Sequence, residues 1–405
     1  MLHLKMRKAL FKQQCVLLCL LFLVMNLLSI AAQQTDTVMA PLSTDTVRKQ
    51  GFVGRVASAA FNKYFNDSSN PSEPKFLLYP TVAFSPETSW EIGISALMLY
   101  YARRDTTNRL SEITAFTFLT LNQQYGAWFD HFLYSHEDAW FFLGRLRFQR
   151  FPLQYFGIGP TTPKENKQTV DADYILIKER VLRRIRPNFF GGIEFDFQQI
   201  SNTSIDQGTS SLPLPPGADG STNIGLGVGL VYDSRHNAMN VRNGGFAELG
   251  YLQYNPKWGS TYKFNSLNID SRFYRSYHKN QVLAVQALGQ FMNGDVPFNQ
   301  MALVGGETLM RGYYYGRYRD KNYIAAQAEY RFLPFPFSKR LGGAVFAAAG
   351  AVAPTVSAFN IKHIQPSGGV GLRYLLFPRK DIFVRFDAGM TREGINFYFY
   401  TGEAF

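Results

Sequence analysis

The sequence predicts an all-β fold, a 16-stranded transmembrane antiparallel β-barrel. Three observations point there. From Lys75 onward the apolar residues recur with period two. The chain is 16% aromatic, with 36 Phe, 23 Tyr and 34 Gly. No segment beyond the amino-terminal leader is apolar for long enough to cross as a helix, so the hydrophobic content must lie on one side of strands.

The leader comes first. Lys5, Arg7, Lys8 and Lys12 give a basic start, Val16 to Ile30 an apolar stretch, and Ser29-Ile30-Ala31-Ala32 a small-residue cleavage pattern. Residues 1–31 therefore read as a secretory signal peptide. Both cysteines, Cys15 and Cys19, fall inside it, so the mature chain is expected to hold no disulfide and no cysteine metal site. Net charge is +12, and removing the leader's four basic residues leaves +8. For an exported chain that surplus suits loops, a wet interior and anionic lipid headgroups, and it does not indicate nucleic-acid binding.

Residues 32–74 are polar and read as a periplasmic segment. One stretch, "FVGRVASAAFNKYF", places Val53, Val56, Ala60, Phe61 and Tyr64 at helical spacing, which predicts a short amphipathic helix. Residues 75–405 are expected to form the barrel. In "FFGGIEFDFQ" Phe189, Ile193, Phe195 and Phe197 oppose Gly192, Glu194, Asp196 and Gln198. In "NIGLGVGLVYD" Ile224, Leu226, Val228 and Leu230 oppose Gly225, Gly227 and Gly229. In "DIFVRFDAGM" Ile382, Val384, Phe386 and Ala388 oppose Phe383, Arg385, Asp387 and Gly389. One face suits hydrocarbon and the other a polar lumen, and only a closed ring satisfies every strand in lipid. The expected spans are 75–84, 91–102, 111–121, 125–134, 140–151, 171–184, 189–200, 223–233, 245–254, 261–274, 281–292, 322–333, 343–352, 368–377, 382–390 and 394–405. With a periplasmic start, 152–170, 201–222 and 293–321 become outer loops. Trp90, Trp128 and Trp140 are assigned to an aromatic belt. Gly225, Gly227 and Gly229 are expected to make room for a loop or to let the wall bend.

Within the longest loop, "GGETLMRGYYYGRYRD" combines an Arg-Gly step, three consecutive tyrosines and two further arginines. Surface loops are usually small and polar, so this one suits an interior. The stretch resembles the Arg-Gly-Phe/Tyr motif in the sixth loop of the BamA/TamA family of outer-membrane assembly barrels. "VYDSRHNAMNVRNGGF" is similar to that family's strand-and-turn between strands eight and nine. "YPTVAFSPETSWEIG" and "GGVGLRYLLFPRKDIFVRFDAG" resemble its first and penultimate hairpins. The resemblance covers about Lys75 to Phe405. It implies an inward-folded sixth extracellular loop in which Arg311, Gly312 and Tyr313 carry the motif and Glu329 on strand twelve accepts from Arg311. Two departures stand out. Residues 32–74 are too few for the family's POTRA domains, and its usual Asp on strand thirteen is Ala348, within "FAAAG". Glu329 is therefore expected to carry most of the restraint.

The seam between the first and last strands is the other candidate site. Pro80 lacks a ladder donor and suits an edge. Phe397 and Phe399 lie on the strand that must pair with it, and Phe405 resembles a carboxy-terminal assembly signal. In the family, a seam of this kind is thought to open toward lipid. No histidine spacing suggests a metal, since His131 and His136 fall on opposite strand faces. No nucleophile motif, phosphate loop or cofactor signature is present, so neither catalysis nor a cofactor is expected. The functional expectation is a barrel that assists insertion or assembly of outer-membrane proteins, or handles lipids, alone or within a complex. Its partners would be outer-membrane lipids and other outer-membrane or periplasmic proteins. The rival expectation is a pore or translocator for a solute or a dedicated partner, and a plugged lumen would separate the two.

Overall fold

Alternation decides the wall. The computed structural model describes residues 72–405 apart from 236–239, 279 and 378–380; the leader and the expected helix at Val53–Tyr64 lie outside the described residues. Sixteen wall strands follow in chain order: β1 Lys75–Ser85, β2 Ser89–Tyr101, β3 Leu110–Thr120, β4 Tyr125–Tyr134, β5 Trp140–Arg150, β6 Gln168–Arg186, β7 Phe189–Asp206 and β8 Ser221–Asp233. The second half comprises β9 Gly244–Tyr254, β10 Phe264–His278, β11 Gln281–Gly294, β12 Asn322–Phe332, β13 Leu341–Ala353, β14 Gln365–Phe377, β15 Ile382–Thr391 and β16 Gly394–Thr401. Each pairs antiparallel with its sequence neighbour, and Phe84 on β1 stands opposite Phe399 on β16, which closes the ring. A seventeenth strand of the same sheet, Leu153–Tyr155, only extends the outer edge of β6. Every expected span is occupied by a strand.

The two faces separate by chemistry. Directly opposed residues of antiparallel neighbours share a face, so the register carries one face around the ring. Ile92, Leu119, Ile193, Val228, Val345 and Leu372 point outward and are exposed, as lipid-facing residues of an isolated barrel must be. Glu194, Asp196, Arg180, Gln286, Glu329 and Arg373 are buried in the lumen. Midway up the lipid face stands a His131–Glu179 pair at 3.0 Å. It bridges β4 to β6 over Gly144, where a Cβ would fall 2.0 Å from the His131 ring.

Long segments 151–167, 207–220 and 295–321 gather at one end and short turns at the other. The long-loop end is the outer one. Three sequence expectations need correction. Trp128 lies on the lumen face, not in a belt: its ring sits under Arg147 at 4.7 Å and against Phe116 and Phe118. Gly225 and Gly229 accommodate wall side chains, Tyr254 for the first and the Arg180–Glu194 pair for the second, and Gly227 lies against the Tyr251 carbonyl of β9. The last strand ends at Thr401, because Gly402, at φ 88°, turns the chain away from the wall. Phe405 accordingly lies off β16, with its ring beside Tyr274 and its carbonyl accepting from Arg331 at 3.0 Å.

Candidate functional site: the lumen-docked loop

The loop 295–321 returns into the barrel through a short hairpin, Ala302–Val304 paired with Tyr318–Asp320. Leu309, Met310, Tyr313 and Tyr318 pack with Tyr323, Ala325 and Val352 of the wall, an apolar cluster that draws the loop inward. Its tip is turned by two left-handed residues, Met310 at φ 58° and Gly312 at φ 109°.

At that tip Arg311 is fully buried and doubly held. One guanidinium nitrogen donates to Asp387 at 2.6 Å and another to Glu329. The guanidinium lies 3.5 Å from the Phe346 ring centroid, so the fork is stacked as well as hydrogen-bonded. Glu329 also accepts from Arg331 at 2.8 Å and from Arg373 at 3.1 Å. Asp387 accepts from Arg373 at 2.6 Å and from Arg385 at 2.7 Å. Glu403 completes the network at 2.9 Å from Arg373. Four arginines thus share three carboxylates, and no charge of the cluster lacks an opposite neighbour, which a buried site requires.

Backbone contacts fix the tip on the last three strands. Gly312 N–H donates to the Tyr398 hydroxyl at 2.9 Å, and its carbonyl accepts from Asn396 at 2.6 Å. Ser367 donates to the Arg311 carbonyl. A Cβ at Gly389 would stand 2.6 Å from the Arg311 carbonyl carbon, so glycine there is a condition of the close approach. Tyr313, almost fully buried, donates from its hydroxyl to the Pro366 carbonyl at 3.1 Å. Farther along, Arg317 pairs with Glu393 at 2.7 Å, and Tyr318 donates to the same carboxylate at 2.9 Å. Arg319 donates to the Phe298 carbonyl at 3.0 Å and to the Gln154 carbonyl. On the other side of the seam, Tyr315 N–H donates to Glu87, in the β1–β2 turn, at 2.7 Å. Burial pushes the Glu87 carboxyl from its usual 4.5 up to about 7.

Glu329 therefore does not hold Arg311 alone. Ala348 faces Gln327 and Ser367 on the lumen side and offers no acceptor; Asp387, two strands on, does so instead. Its signal was present in "FDAG", where an inward Asp precedes the inward Gly389 on which the tip packs. At the seam, Pro80 pairs with Ile94 of β2, Phe397 is exposed on the lipid side, and Phe399 faces Phe84. One residue pair joins β1 to β16, whereas β1 pairs with β2 along its full length.

The periplasmic mouth is bridged too. Asn240 and Arg242, in the β8–β9 turn, bond Asp381 in the β14–β15 turn, Arg242 at 2.7 and 2.8 Å. Val241 packs with Tyr274, Ala284 and Phe405 inside that mouth.

A sixteen-stranded barrel with a loop docked in its lumen is an integral outer-membrane protein of Gram-negative bacteria. The Omp85 superfamily domain matches residues 121–405, and the chain belongs to that superfamily. BamA from Haemophilus ducreyi lacking POTRA domains 1–3 has a similar fold, at a TM-score of 0.53 and 12% identity over 82% of this chain and 70% of that one. CdiB from Acinetobacter baumannii is similar at 0.53 and 9% identity, and CdiB from Escherichia coli at 0.52 and 9%. The matches cover 81% and 80% of this chain, but only 59% and 62% of those CdiB chains. No curated protein matches.

Proposed function

We propose that the protein assists the insertion or assembly of outer-membrane proteins, or the handling of outer-membrane lipids, by acting at its β1–β16 seam rather than by conducting through its lumen. The observation that carries this reading is the occupied lumen, with Arg311 buried among Glu329, Asp387 and Phe346. A lumen filled by charge-paired side chains leaves the wall as the working surface, and the wall is least paired at the seam. Residues Arg311, Gly312, Tyr313 and Glu329 then serve as the internal brace, and Pro80, Phe397 and Phe399 as seam residues. Outer-membrane or periplasmic proteins would be clients or partners.

The test uses proteoliposomes containing the purified barrel. Insertion of an unfolded client barrel should be faster than into protein-free vesicles, and phospholipid exchange between leaflets should be followed in parallel. Large steady conductance without acceleration of either process would favour the rival reading, a pore or translocator.

A further inference from the structure

The turn between β12 and β13, 333–340, differs from the other short turns. None of 102–109, 135–139, 187–188, 234–243, 279–280 or 378–381 contains Phe, Tyr or Trp, whereas "LPFPFSKR" contains Phe335 and Phe337, followed by Lys339 and Arg340, with no acid. Phe337 is 81% exposed. Its ring stacks on Phe335 at 5.1 Å and 11°, Phe335 meets Phe332 at 5.5 Å, and Phe332 meets Tyr330 at 5.2 Å. Tyr330 and Phe332 are lipid-facing positions of β12, so the four rings continue the hydrocarbon surface past the end of the wall. Gly343, on the lipid face of β13, lets Phe335 lie there, since a Cβ would come 2.7 Å from its ring. Arg340 is anchored on β14: its carbonyl accepts from Leu375 N–H at 2.8 Å, and one guanidinium nitrogen donates to the Leu375 carbonyl at 3.4 Å.

We propose that this turn is a headgroup-level lipid site, with Phe335 and Phe337 in the boundary of the periplasmic leaflet and Lys339 and Arg340 holding the phosphate of an anionic phospholipid. Two features select a lipid. The ring ladder is continuous with wall already in hydrocarbon, and aromatic rings settle at the headgroup level. The adjoining charge is wholly basic, which complements phosphate. The site does not depend on whether the seam opens.

The test places one probe at the tip. In the full chain carrying Cys15→Ser, Cys19→Ser and Phe337→Cys, an environment-sensitive fluorophore at 337 is reconstituted in vesicles of phosphatidylethanolamine and phosphatidylglycerol. Strong quenching by lipid brominated near the headgroup end of the chain, with weak quenching by aqueous iodide, is expected. Strong iodide quenching would overturn the site. Blue-shifted emission untouched by either quencher would do so too, because the tip would then be covered by protein, a second copy or a partner. Separately, Lys339→Gln, which leaves the wall untouched, should lower the association of spin-labelled phosphatidylglycerol about fivefold relative to phosphatidylcholine. An unchanged preference would remove the phosphate half of the proposal.

Discussion

Arg311 has two acceptors, and that number determines what each substitution does. Removing one member of a buried ion pair costs about 3–5 kcal/mol when the remaining charge is left alone. Here the remaining charges are not alone, since Glu329 keeps Arg331 and Arg373, and Asp387 keeps Arg373 and Arg385. Arg311→Ala should therefore free the loop without preventing assembly, and protease should cut within 305–320 on intact cells. Glu329→Ala and Asp387→Ala should each loosen it only partly, and the double variant should match Arg311→Ala, because the three side chains act as one unit. Equal, full cleavage in Glu329→Ala alone would show that Asp387 contributes nothing. Glu87 supplies a second test. Its carboxyl is raised from 4.5 to about 7, chiefly by burial and further by Glu307, while hydrogen bonds from Tyr315 N–H, from its own backbone and from Ser85 act in the opposite direction. A carboxyl raised on folding adds stability that is complete below about pH 4.5 and is lost as pH climbs through about 7. Because the Tyr315 N–H bond favours the ionised carboxylate, the loss lies in burial and in Glu307: the thermal stability of the folded barrel should fall between about pH 6 and about pH 8, and Glu87→Gln should flatten that fall. A pH-independent stability in the wild type would exclude Glu87 as the pH-sensitive group.

At the scale of elements, the seam's register names its own crosslink. Phe84 and Phe399 are opposed, whereas Leu78 lies opposite Ala96 of β2 and well below the reach of Phe399. Cysteines at 84 and 399 should join under mild oxidation, leave heat-modifiable migration intact, and abolish client insertion; full activity in the joined protein would exclude seam opening. The same register shows what the sequence could reveal. Strands were legible because lipid on one side and polar groups on the other impose period two. The pattern fades once both sides are wet, so alternation ends β7 at Ile200, although its ladder continues to Ser201, breaks at a bulge over Asn202 and Thr203, and resumes from Ser204 to Asp206. Trp128 was misplaced for a related reason: β4 has bulky apolar residues on both faces, Phe129 and Leu133 outward and Trp128 and Phe132 inward. The Arg311–Glu329 geometry needed only the motif and alternation along β12. Asp387 needed closure of the ring, which brings it 2.6 Å from a side chain 76 positions earlier.

For the whole molecule, the two closed ends predict electrical silence. The outer end is filled by loop 295–321, and the periplasmic end is spanned by Asn240, Val241 and Arg242. Wild type in planar bilayers should pass little current. Asp381→Ala releases one end only and should change little, whereas Asp381→Ala with Arg311→Ala should raise conductance severalfold. High current from the wild type would contradict the sealed lumen. Arg311 meets Glu329 18 positions on and Asp387 76 positions on, and the tip is held further by Ser367 on β14 and by Asn396 and Tyr398 on β16. The seat therefore draws on β12, β14, β15 and β16 together and is whole only when the wall is closed through its last strand, so protection of the tip doubles as a report on ring closure.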